Sequence, residues 1–77
     1  MMEVRFLVPS EVLTKLSERG ISLRHKDGFS GYFGDISIQE FWIMAQRLVY
    51  YGYRIDITPG NFVTIVCRKE QNASAKS

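Results

Sequence analysis

The chain has 77 residues, 45% of them apolar and 23% charged, with a net charge of +2. That is room for one modest core, in a composition typical of folded rather than disordered chains. Its global field is too weak to draw nucleic acid without local clustering. The lone Cys67 excludes an intrachain disulfide and a cysteine-built zinc site, and a free thiol fits a reducing compartment.

Residues 4–8, Val-Arg-Phe-Leu-Val, are β-branched and aromatic with partial alternation, which predicts a first strand. Residues 1–8, with Glu3 and Arg5 among them, are too short and too charged for the apolar stretch of a signal peptide. No apolar run approaches the ~20 residues of a membrane span. The expectation is a cytoplasmic protein that engages no membrane. Pro9 ends the strand, and Ser10 is placed to cap a helix over 11–19 with Val12, Leu13 and Leu16 as its apolar stripe. Glu11 and Arg19 suit the two ends of its dipole, and Gly20 is the expected stop.

Residues 21–26 alternate and predict a second strand, followed by a turn at Asp27-Gly28. Residues 29–36, Phe-Ser-Gly-Tyr-Phe-Gly-Asp-Ile, predict a short irregular strand paired back on 21–26, with an aromatic glycine loop as the alternative. Ser37 and Glu40 have the spacing of a capping box and open a second helix, which Gly52 closes. Residues 53–58 and 62–68 are two well-patterned strands. Thr58-Pro59-Gly60-Asn61 between them carries the residues of a type II turn. Residues 71–77 hold no large apolar side chain and are expected to be a disordered tail. The acceptor-like Asn72-Ala73-Ser74 within them is a chance match without a secretory signal.

The expectation is therefore one α+β domain over residues 1–70. Its order is β-α-β-(β)-α-β-β, with a mixed four- or five-stranded sheet, both helices on one face and a C-terminal hairpin.

Function is less legible. At 100° per residue, Ile38, Phe41, Trp42, Ala45, Leu48 and Val49 share a broad arc of the second helix expected to face the sheet, flanked by Met44 and Tyr51. Ile43 and Tyr50 fall instead on the polar side beside Arg47. They either meet the first helix or the 29–36 segment, or form a contact patch. With Tyr32 and Phe33 of the aromatic segment they make the candidate protein interface, suited to a protein partner or a second copy of the chain as a dimer. The face of the sheet away from the helices gathers Arg5, Arg24, Lys26, Arg54 and Arg68. That set is the alternative, a nucleic-acid surface, against a plain solvated face with cross-strand ion pairs. Residues 26–33 mix basic, glycine and aromatic residues as RNA recognition motifs do, but Asp27 and the spacing break that pattern, and no family is assigned.

Nothing points to catalysis. His25 stands alone, Cys67 has the inward parity of a small core residue, and Asp27 and Asp35 lack further ligands. Gly28, Gly31 and Gly34 neither lead a strand into a helix nor precede a Lys-Ser/Thr pair, so no phosphate loop is indicated. No cofactor, metal or small-molecule substrate is expected. The protein is expected to be a non-enzymatic adaptor, inhibitor or subunit.

Overall fold

A computed structural model describes residues 1–70; the expected tail and its Asn72 lie outside the described residues. Six elements follow in order: β1 (Met2–Leu7), α1 (Ser10–Glu18), β2 (Tyr32–Ile36), α2 (Ile38–Tyr50), β3 (Tyr53–Thr58) and β4 (Val63–Lys69). They form a small α+β fold with a four-stranded mixed sheet, as the sequence predicts. The strands lie side by side as β2-β1-β4-β3. β1 is antiparallel to β2 and parallel to β4, and β3–β4 is an antiparallel hairpin.

Alternation builds the core. Val4 and Phe6 of β1, Ile36 of β2, Tyr53 of β3, and Ile65 and Cys67 of β4 meet Val12 and Leu16 of α1 and Phe41, Met44 and Leu48 of α2. Both helices thus cover one face of the sheet. α1 lies toward β2, where Leu13 shares a hollow with Gly31 and Tyr32. α2 runs from the end of β2 at one edge of the sheet to β3 at the other, to which Tyr51-Gly52 joins it directly.

The helix ends obey their signals with two differences. At Gly20, with φ +88°, the Gly20 amide donates to the Ser17 carbonyl and the Ile21 amide to that of Leu16. This is the paired bonding that satisfies a helix's last carbonyls. Gly52, with φ +92°, closes α2 in the same conformation. At the other end of α1 the cap is Pro9; Ser10 is already helical, and no side chain caps the helix. In α2 the Ser37 hydroxyl accepts from the Glu40 amide at 3.1 Å. The Glu40 carboxylate does not reach back to complete the box, because it pairs with Arg19 across the interhelical groove.

Two expected features are corrected. Residues 21–26 are not a strand: they touch the sheet through one antiparallel bridge, Arg24 to Phe33. The reason is Gly34. A Cβ there would sit 2.9 Å from Ile21 Cγ2 and 3.2 Å from Leu23 Cδ2 and the Ser22 carbonyl oxygen. The segment folds its side chains in over β2 instead of running in the plane of the sheet. The ambiguous 29–36 region is the strand β2, shortened to Tyr32–Ile36. The hairpin loop is not a type II turn either, since Gly60 lacks the positive φ that such a turn requires at its third residue.

Candidate functional site

The sequence divided α2 into a broad core arc and a small surplus; the structure moves that boundary. Only Phe41, Met44, Ala45 and Leu48 are buried. Ile38, Trp42 and Val49, expected to face the sheet, are exposed, with Trp42 at 58%. The physical reason is the pair of neighbours. A helix seated between a sheet and a second helix buries the sector facing both. On α2 that sector turns toward Met44 and Leu48, which line a groove with Val12 and Leu16 of α1. The opposite flank, an arc about 40° wide holding Ile38, Trp42 and Val49, is left without a neighbour.

Ile43 and Tyr50 remain at the surface, Tyr50 at 84%, with its ring 5.4 Å from that of Tyr51. Neither lines the groove between α2 and α1. Arg47 lines the interhelical groove beside Tyr51. Exposed apolar side chains thus form two strips, Ile38–Trp42–Val49 and Ile43–Tyr50, with Gln39 and Gln46 between them.

The aromatic residues of β2 do not join them. Phe33 is 0% exposed, which corrects its expected place in a contact surface. It lies on the sheet face away from the helices, packed edge-on against Phe29 and Phe62 at 5.8 and 5.0 Å. Tyr32 is half-buried on the other face, its ring 4.2 Å from that of His25. Its parity partner Phe6 gave the signal: strict alternation from Val4 puts Phe33 opposite Arg5 and Tyr32 opposite Phe6. What the sequence hid was Phe62, three residues past Pro59, closing over Phe33.

That second aromatic cluster also reshapes the basic face. Lys26 Nζ sits 4.8 Å above the Phe33 ring, and the Arg5 guanidinium lies 5.3 Å from the Phe62 ring. Arg5 Nε donates to the buried Thr64 Oγ1 at 3.3 Å. Glu3 collects the next two cations: Arg24 donates to it at 2.6 Å and Lys26 at 2.9 Å. The Lys26 hydrogen bond, then that of Arg24, holds the Glu3 carboxyl below the usual carboxylate range. Arg24 also lies 3.8 Å from Asp35. Of the five basic residues, Arg24 is exposed but held by Glu3, while Arg54 and Arg68 are exposed and stand directly opposite one another in the hairpin register. Asp56 stands 3.8 Å from Arg54, a loose surface pair.

On the helix face, the Tyr53 hydroxyl donates to Glu11 Oε2 at 2.7 Å. The bond holds the Glu11 carboxyl low and pushes the Tyr53 hydroxyl up. Burial raises the Cys67 thiol, an inert state for a cysteine. Among the described residues no three of His, Cys, Asp and Glu come together to hold a metal. No helix among them is long and apolar enough to cross a membrane. Comparison with family models, with curated proteins and with solved structures returned no match.

Proposed function

We propose that this chain is a small non-enzymatic protein-interaction module, working in the cytoplasm, whose contact surface is the outer side of α2. The observation that carries this reading is the exposed strip Ile38–Trp42–Val49 on a helix already seated by four other residues. Apolar surface grouped in this way marks interfaces more often than scattered single residues do, and a half-exposed tryptophan is the residue type most enriched at binding hot spots. Ile43 and Tyr50 form a second strip beyond Gln39 and Gln46, bordered by Arg47. The unpaired Cys67 suits a reducing compartment.

The test replaces Trp42 and Val49 together with lysine. Both side chains are exposed, so the fold should hold within about 1 kcal/mol by urea denaturation. Association, whether with itself in sedimentation or with proteins captured on an immobilised chain, should fall at least tenfold. A doubly substituted chain that folds and associates as before would remove α2 as the contact surface.

One observation favours a second reading. Arg54 and Arg68 stand side by side on the open face, a geometry that suits an anion such as a nucleic-acid phosphate. That reading requires binding that weakens steeply with salt. It draws less support than the first, because Glu3 engages Arg24 and Lys26, and Arg5 is tied to Thr64.

A further inference from the structure

The edge strand β3 and the exposed flank of α2 lie on the same side of the molecule. β3 closes the sheet order, and among the described residues no backbone hydrogen bond reaches it from any element but β4. Every second residue of its six therefore points an N–H and a C=O outward. α2 ends at β3, and its α1-facing side carries Met44, Arg47 and Tyr51. Ile38, Trp42 and Val49 occupy the far flank, the side of α2 turned away from α1 and toward β3. β3 also runs back along α2 from the Tyr51-Gly52 turn. Four strand residues at ~3.3 Å cover about the rise of nine helical ones, so Ile57, itself 53% exposed, comes level with Trp42.

We propose that the chain forms a two-fold symmetric dimer in which β3 pairs antiparallel with β3 of a second copy, in the register centred on Ile55, and the two α2 flanks close over the join. This names the partner of the surface proposed above and rests on that reading.

Charge selects the register. Arg54 and Asp56 are the charged residues of β3, both on the face away from the helices. A register centred on residue 54 would set Arg54 against the partner's Arg54. One centred on 56 would set Asp56 against the partner's Asp56. Like charges directly opposite each other disfavour a strand pair. Centring on Ile55 sets each Arg54 opposite the partner's Asp56, twice by symmetry, and each Tyr53 opposite the partner's Ile57 on the apolar face. The register pairs residues of equal parity, so it is compatible with the outward-pointing backbone groups whichever alternate set they are.

The helix layer fits the same axis. Strands across the join lie ~4.8 Å apart. α2, joined to β3 by the two residues Tyr51-Gly52, brings its flank toward that join. Ile38, Trp42, Ala45 and Val49 follow the 4-3-4 spacing of a helix–helix seam. By the same rise argument the axis through Ile55 crosses α2 near residue 47, between Ala45 and Val49 on the flank.

The test uses charge exchange. Wild type should show a concentration-dependent monomer–dimer equilibrium in sedimentation. The emission of Trp42, the only tryptophan, should shift to shorter wavelength as the dimer forms. R54D makes β3 acidic at both positions and D56R makes it basic at both. Each alone should dimerise at least about tenfold more weakly than wild type, while an equimolar mixture should recover dimers containing one of each chain. The double swap R54D/D56R should restore self-association. Circular dichroism checks that every variant is folded. If wild type dimerises but the charge variants do not change it, while the Trp42 and Val49 substitutions abolish it, the β3 register is wrong and the α2 interface stands. A wild type that stays monomeric at several hundred micromolar overturns the dimer; capture of another protein that still requires Trp42 and Val49 would then preserve the broader reading, and its absence would end both.

Discussion

The two edges of the sheet are strands of five and six residues, yet they are finished in opposite ways. At the β2 edge, residues 21–31 fold back over the strand. Arg24 and Phe33 exchange backbone hydrogen bonds at 2.9 and 2.7 Å, Gly34 admits Ile21 and Leu23, and Glu3 ties down Arg24 and Lys26. At the β3 edge nothing among the described residues does this work, and only Arg54 and Asp56 discourage indiscriminate pairing. Natural sheets either cover an edge or guard it with charge. This chain does one on each side, which makes the guarded edge the place where a partner strand can be chosen.

The largest test of that contrast compares two aromatics. Phe33→Ala empties a fully buried site at the clasped edge and should cost about 3–5 kcal/mol in urea denaturation. Tyr50→Ala, on exposed α2 surface, should stay within about 0.5 kcal/mol. Comparable costs at the two positions would erase the distinction between a closed and an open side.

Gly34→Ala comes next. Its new Cβ meets the Ile21 side chain and the Ser22 backbone, an overpacking expected to cost about 1–3 kcal/mol. Amide exchange at Arg24 and Phe33 should quicken with it. Normal stability and normal exchange would mean that the clasp is not engaged.

The smallest effect is electrostatic. The Glu3 carboxyl is depressed in the folded state, first by Lys26 and then by Arg24. Between that depressed value and the ordinary one near ~4.3, the unfolded chain binds more protons than the folded chain, so stability rises with pH across that window. The contribution is complete above the ordinary carboxylate value and is lost as pH falls through the folded one. Glu3→Gln should flatten the stability profile in that acid range and leave its shape near neutrality unchanged. An unchanged acid limb would show that the clasp's ion pairs do not couple to folding.

Much of this was legible residue by residue. Gly20 and Gly52 marked the helix ends, Ser37 marked the start of α2, and Cys67 and Ile65 kept the inward parity of their strand. The misplaced residues are those whose fate depends on a neighbour far along the chain. Phe33 looked exposed in a glycine-rich stretch because Phe62, 29 positions later, is what buries it. Trp42 and Val49 looked buried because a helical arc records which side is apolar and not how wide a sector the packing covers.

The sequence by itself determined the local terms: where helices start and stop, which strand face is apolar, and that β3 and β4 form a hairpin. These follow from backbone conformations and side-chain periodicities set within a few residues. Only the tertiary structure decided which edge is clasped, which cations are neutralised, and which flank of α2 is left bare. Each of those depends on the spacing between layers and on the order β2-β1-β4-β3, and that order brings together residues no local pattern connects.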